Sequence, residues 1–150
     1  TGWLYDQSVA NHFVARILWQ LCHNREAVMN DAVKGSPTSC TLIAQISKLL
    51  LERYWQQKGD LYPEIYHVSA SGGTSVAKVA SFMQEQLFFR GVITHPFAIT
   101  SQQSGQVPRP LNQCLNCSKI EQALAVNLPH WQEDMGKYIA HLDLNFFVKE

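Results

Sequence analysis

Apolar residues recur along this chain at helical spacing in several separate stretches. Val9, Phe13, Val14, Ile17, Leu18 and Leu21 fall on one face and predict a first helix from about Ser8 to His23. Leu42, Ile43, Ile46, Leu49, Leu50 and Tyr54 mark a second helix from Thr41, closed by the basic turn and capping glycine of Lys58-Gly59. A third carries Val76, Val79, Ala80, Met83 and Leu87, with Thr74 as its cap. Ser118-Lys-Ile-Glu121 has the capping-box form, in which serine and glutamate satisfy otherwise unpaired backbone donors, and predicts a helix from Lys119. Leu128-Pro129 opens the last helix, because proline at a first position forfeits no hydrogen bond; Trp131, Met135, Tyr138 and Ile139 share its face.

Between these stripes lie short runs of strand character: Trp3 to Tyr5, Ala27 to Asn30, Glu64 to Val68 and Phe97 to Thr100. Gly35-Ser36-Pro37-Thr38 reads as a turn, and Pro108-Arg109-Pro110 forces an extended backbone. Short strands alternating with helices of roughly 10 to 16 residues predict an α/β fold, a mostly parallel sheet covered by helices.

Composition narrows the picture. The 150 residues include 12 Lys+Arg against 12 Asp+Glu and are 46% hydrophobic, the profile of one folded domain with an ordinary core. With the basic residues scattered singly and a pI near 6.9, no field attracts phosphate polymers or an anionic bilayer, so neither nucleic acid nor membrane is an expected partner. No apolar run reaches the roughly 20 residues that cross a bilayer, and no export signal opens the sequence; the expected location is the cytoplasm, with all four cysteines reduced. The first methionine is Met29, so the chain is expected to be a piece of something longer.

Four candidate motifs have plain structural readings. Tyr54-x-x-x-Lys58 has the spacing of a tyrosine acid and its lysine partner, yet Tyr54 continues an apolar stripe and Lys58 suits a helix end. Ser71-Gly72-Gly73-Thr74 precedes a helix, where backbone N–H groups can cradle phosphate, but it lacks a full glycine-rich fingerprint and reads as turn plus cap. Cys114-x-x-Cys117 has no second ligand pair for zinc, and no metal site is expected. His67 in a strand and His130 in a first helical turn are assigned no chemistry. Trp3, Gly35 to Thr38 and Arg109-Pro110 say more together: a ring face for stacking, a rigid turn and a fork of donors for phosphate are the kinds of groups that line a sugar or nucleotide pocket, although on composition alone packing and turn-making account for them better.

The ordered series Thr-Gly-Trp-Leu-Tyr (1–5), Asn-His-Phe-Val (11–14), Gly-Ser-Pro-Thr (35–38), Ile-Tyr-His-Val-Ser-Ala-Ser-Gly-Gly-Thr-Ser (65–75), Arg-Pro-Leu-Asn (109–112), Ser-Lys-Ile-Glu (118–121) and Leu-Pro-His-Trp (128–131) resembles the C-terminal half of the dTDP-4-dehydrorhamnose reductases. These are extended short-chain dehydrogenases, in which an N-terminal Rossmann half binds NAD(P)H and a smaller region holds the nucleotide sugar. The resemblance implies that residues 1–150 form one substrate-binding region for a dTDP-sugar, within dTDP-rhamnose biosynthesis, with the Rossmann half absent. By the same resemblance Trp3, Asn11, His12, Gly35, Ser36, Pro37, Thr38, Arg109 and Pro110 are the substrate-binding residues. The family's phosphate loop and catalytic Tyr-x-x-x-Lys precede its Trp3 strand, so no catalytic or cofactor-binding residue is expected here, and NAD(P)H belongs to the full-length parent. The missing half, or a second copy pairing with the edges it would cover, is the expected protein partner.

The sequence departs from the family pattern at His12, where Asn-Phe reads His12-Phe13, at Val76, where Thr-Ser-Trp reads Thr74-Ser75-Val76, and at Gln113, where a serine is usual. These departures motivate an alternative: a non-catalytic interaction module similar to the regulatory β subunit of methionine adenosyltransferase, which also resembles this family.

Overall fold

In the computed structural model, which describes residues 1–6, 12–23, 27–56, 64–102 and 110–143, the strands are short and pair in twos. β1 (Leu4–Tyr5) and β2 (Ala27–Asn30) each run parallel to a later strand: β1 to β4 (Thr38–Ser39), and β2 to β6 (Ile99–Gln102). β3 (Lys34–Gly35) pairs antiparallel with β5 (Thr74–Ser75), and the other side of Lys34 bridges Asn112 in parallel. The α/β class and the prevalence of parallel pairing are as expected, with three small ladders in place of one sheet.

Helices α1 (Phe13–His23), α3 (Val76–Phe89) and α5 (Trp131–His141) bury the faces their apolar spacing marks. Val14, Leu18, Leu21, Val79, Met83, Leu87, Met135 and Ile139 are each at most 1% exposed and form the centre of the core. A fully buried aliphatic side chain contributes about 1.5–3 kcal/mol, so this centre outweighs the few ladder bonds. α2 (Cys40–Gln56) is different: it buries only Leu42 and Ile46, while Leu51, Tyr54 and Trp55 face solvent. The first part of the predicted first helix, from Ser8 to Asn11, and the expected Lys58-Gly59 terminus lie outside the described residues.

Several boundaries differ from expectation, each because a backbone group found a different partner. Thr74 lies in β5 and does not cap α3; Ser75 does, at φ −100° and ψ 164°, with Oγ accepting from Lys78 N–H at 3.3 Å and donating to the Asp31 carboxylate. Ser118 does not form a capping box. Its N–H already donates to Asn116 Oδ1 at 3.0 Å, so α4 (Ser118–Leu124) starts at Ser118 itself, and Glu121 accepts instead from Leu128 N–H at 3.0 Å. Pro129 does not open α5. Its carbonyl accepts from Ser71 N–H at 2.8 Å, and His130 becomes the cap, with Nδ1 accepting from Gln132 N–H. The expected strand Glu64 to Val68 joins no ladder among the described residues; Ile65 offers its carbonyl to Lys119 Nζ, and its side chain is 83% exposed. β propensity expresses fit to a paired, half-buried surface, and no described strand supplies that surface here.

Ser75→Ala should cost about 1 kcal/mol through the lost cap, and more through the stranded Asp31 carboxylate. A urea midpoint indistinguishable from wild type would show that the cap is idle.

Two buried tyrosines set an alkaline limit. Tyr5 and Tyr138 stack edge-on with centroids 4.9 Å apart. Burial, followed by the nearby Asp6 charge, pushes the Tyr138 phenol up to about 12, and burial with the Asp134 charge pushes Tyr5 up as well. Above the unfolded phenol value near 10 the unfolded chain releases protons that the folded chain retains, so the tyrosines' contribution to stability is fully present below that pH and falls as pH rises towards about 12. Urea unfolding across that interval should show the decline; flat stability would contradict the burial of these rings.

Candidate functional site

Trp3 is the pivot of the site. Its backbone is left-handed, at φ 51°, a region that bulky L-residues enter only at a cost. This turn lets its carbonyl accept from Thr38 N–H at 3.2 Å while its ring lies across the β3–β5 ribbon. Gly35 makes that approach possible: a Cβ there would stand 2.3 Å from Trp3 Cε2, so only glycine leaves room. The indole N–H donates to Gln113 Oε1 at 2.9 Å, and Phe13 meets the ring edge-on at 5.7 Å between centroids. Lys34 N–H donates to Leu111 O and Gln113 N–H to Lys34 O, both at 2.8 Å. Those bonds fix the segment after Pro110 beside β3. Trp3, Gly35 and the Pro110 segment are thus brought together, and Pro110 itself is exposed at its edge.

The other expected site residues are divided. Ser36 is buried and turns the other way, donating to Gly72 O at 3.4 Å. It lines a cleft of about 330 Å³ whose walls include Ser69, Ser71, Asn116 and Glu121. Pro37 and Thr38 are core residues; Thr38 Oγ1 donates to Ser36 O and accepts from Ala70 N–H, which fixes the turn. His12 caps α1: its Nδ1 accepts from Ala15 N–H at 3.1 Å, which leaves Nε2 to donate to Asp6 O at 2.6 Å. Both ring nitrogens are therefore engaged in the fold. Asn11 and Arg109 lie outside the described residues.

Gln113 and Thr74 join this site although the sequence reading assigned them elsewhere, Gln113 as a family departure and Thr74 as a helix cap. Gln113 lies 110 positions from Trp3, and no local spacing reveals such a pair. For Thr74, the signal is its adjacency to the Gly72-Gly73 pair, which brings the chain into β5.

The remaining motifs are structural or incomplete. Tyr54 is exposed on α2, and Lys58 lies outside the described residues. In the Ser71-Gly72-Gly73 loop, a Cβ on Gly72 would stand 2.2 Å from His130 Nε2 and one on Gly73 2.6 Å from Cys114 Sγ. His130 and Cys114 leave no room for side chains at the two glycines, while the loop itself is exposed and lines the same cleft as Ser36. Cys114 and Cys117 line the serine-walled cleft, and no group of three His, Cys, Asp or Glu able to hold a metal occurs among the described residues. No described helix is long and apolar enough to cross a membrane.

Beneath the site, Asp134 ties the framework together. Its carboxylate accepts from Tyr5 O–H at 2.8 Å and from Ser39 N–H and Oγ–H, both at 2.7 Å. It thereby holds α5 against β1 and β4, the two strands that carry Trp3 and the Gly35–Thr38 turn.

The chain is similar to known proteins along most of its length. The dTDP-4-dehydrorhamnose reductase of Escherichia coli (strain K12) is 30% identical over 151 residues, covering 95% of this chain and 48% of that protein. Its counterpart from Sinorhizobium fredii (strain NBRC 101917 / NGR234) is 25% identical over 142 residues, covering 93% and 47%. The chain thus spans about half the length of the curated relatives it matches. A crystal structure of a dTDP-4-dehydrorhamnose reductase from Bacillus anthracis in complex with NADP superimposes with a TM-score of 0.68 at 18% identity, covering 92% of this chain and 46% of that one. One from Clostridium acetobutylicum gives 0.70 at 19%, covering 93% and 46%. At these identities the structural likeness establishes the fold. The sequence pattern described as the RmlD substrate binding domain matches residues 1–144. Matched along nearly its whole length, the chain belongs to the RmlD substrate binding domain family.

Proposed function

We propose that this chain is the part of an NAD(P)H-dependent sugar-nucleotide 4-ketoreductase, of the dTDP-4-dehydrorhamnose reductase type, that grips a dTDP-sugar, and that alone it transfers no hydride. The observation that carries this reading is the Trp3 indole laid over Gly35 and hydrogen-bonded to the segment after Pro110. An aromatic face stacks on a pyranose or a base, and a preformed concave surface with few polar groups fixes its orientation. Arg109, next to Pro110 in sequence, is the group to meet the diphosphate, since its guanidinium offers paired donors.

The glycine pair that precedes α3 lacks the full glycine-rich fingerprint of a dinucleotide site, and Lys78 N–H in the first turn of α3 is occupied by Ser75 Oγ. No step through NAD(P)H is assigned to this chain; its work is to bind and orient the substrate in a site whose framework is fixed by Asp134.

Calorimetric titration with dTDP tests the reading. Measurable binding that is lost in Trp3→Ala and weakened in Arg109→Ala is the expected result. Absence of binding by the folded wild-type chain would remove the sugar-nucleotide assignment and leave an interaction module as the better account.

A further inference from the structure

α2 carries a second apolar stripe, and this one is left exposed. Its inner face, with Leu42, Ile46 and the partly buried Leu50, rests on the core, β4 and α4. On the outer side Ala44, Ser47, Leu51 and Tyr54 follow one another at steps of 3, 4 and 3, with Trp55 beside the last. All five are exposed, Leu51 by 53%, Tyr54 by 42% and Trp55 by 71%. Alternating steps of three and four place side chains along one line of a helix, the spacing with which two helices pack together. A surface helix ordinarily keeps that side polar, and a cluster of large exposed apolar side chains marks an interaction face.

The stripe is tapered, and the taper decides what fits it. Ala44 and Ser47 leave space at its N-terminal end, while Leu51, Tyr54 and Trp55 stand out at its C-terminal end. A second α2 laid antiparallel, about a two-fold axis at the level of Leu49, brings the partner's Tyr54 over Ala44 and the partner's Leu51 over Ser47, large against small at each step. A parallel pair would set large against large and leave the two Ala44 residues facing across a gap. The flank agrees with the antiparallel arrangement. Lys48 and Glu52, an exposed ion pair at 3.7 Å along one side of the stripe, come alongside the partner's Glu52 and the partner's Lys48, so that opposite charges meet within about one helical turn.

We propose that the outer face of α2 is an interface for a second copy of this chain, in which two α2 helices pair antiparallel through Ala44, Ser47, Leu51, Tyr54 and Trp55. A helix of 17 residues is about 25 Å long, and one such contact buries roughly 800–1,200 Å² in total. That is below the size of a standard stable interface, so the pairing is weak and concentration-dependent, with a dissociation constant on the order of 100 µM. Because α2 directly follows the Gly35–Thr38 turn and β4, the pairing joins two candidate sites in one particle. It also gives Tyr54 a use that its spacing from Lys58 did not. The inference is independent of the sugar-nucleotide reading.

Sedimentation equilibrium over a series from about 10 µM to about 1 mM tests this. Wild type should pass from monomer to dimer across the series. Leu51→Glu and Trp55→Glu, at exposed positions where the fold loses little, should keep the wild-type circular dichroism spectrum and weaken dimerisation about tenfold or more. Ser47→Lys should weaken it likewise, by setting a charge against the partner's Leu51. An equimolar mixture of Ser47→Lys and Leu51→Glu chains should recover the dimer, because the new lysine of one then faces the new glutamate of the other. Wild type that stays monomeric up to about 1 mM would overturn the proposal, and so would a dimer that Leu51→Glu and Trp55→Glu leave intact. Mixed chains that stay monomeric would overturn the antiparallel register, and with it the pairing argued from the taper.

Discussion

Asp134→Ala is expected to lose about 3–5 kcal/mol of stability, the largest single loss among the substitutions considered. Three donors converge on this carboxylate: the Tyr5 hydroxyl, the Ser39 N–H and the Ser39 hydroxyl. Asp134 is 8% exposed and Tyr5 1%, so the donors left behind regain little water. Removing one partner of a buried network costs more than the bonds' net worth, because the remaining groups stay desolvated. Asp134→Asn retains an acceptor oxygen and much of the volume, and should lose less. Tyr5→Phe deletes one charged-acceptor bond and should lose about 1.5–3 kcal/mol. Urea denaturation of the three variants gives the order directly. Equal midpoints for Asp134→Ala and wild type would show that α5 is held to β1 and β4 by apolar packing alone.

Gly35→Ala is the second large effect, and it falls on binding. The added methyl would meet three indole atoms, Trp3 Cε2, Nε1 and Cδ2, at 2.3, 2.6 and 2.7 Å. Contacts that short cannot be absorbed by small adjustments, so the ring must leave the ribbon and its bond to Gln113 must break. The expected outcome is a stability loss of about 1–3 kcal/mol from overpacking and dTDP binding weaker by about tenfold or more. Tryptophan fluorescence should shift towards that of a solvated indole. Unchanged affinity in a folded Gly35→Ala chain would mean that Trp3 contributes nothing to the pocket.

The helices α1, α3 and α5 were legible because each carries a long apolar stripe whose burial dominates its energetics, and those stripes became the core. The starting points of α3, α4 and α5 were not legible. A cap depends on which side chain reaches a particular N–H, and Ser75 displaced Thr74 through a bond to Asp31, which lies 44 positions away. Likewise Ser118 lost its box to a neighbouring asparagine, and Pro129 is engaged with the distant Ser71. The run Glu64 to Val68 has strand composition without a strand to pair with among the described residues, so composition alone misassigned it. Of the residues the family resemblance pointed to, Trp3 and Gly35 lie against each other, and the segment after Pro110 is bonded beside them. Of the others, Pro37 and Thr38 are buried, and His12 uses both ring nitrogens in hydrogen bonds, none of which a local pattern discloses. Gln113 and Thr74 could not be read from local pattern, because their roles arise only when β1, β3, β5 and the segment after Pro110 meet.

The most direct test of the account is to incubate the chain with NADPH and dTDP-4-dehydrorhamnose and follow NADPH absorbance, with ligand binding measured in the same preparation. The account predicts that the dTDP-sugar binds and that NADPH is not consumed. NADPH oxidation that depends on the sugar substrate and survives purification would contradict it, because these residues would then contain both the grip on the sugar and the means of reducing it.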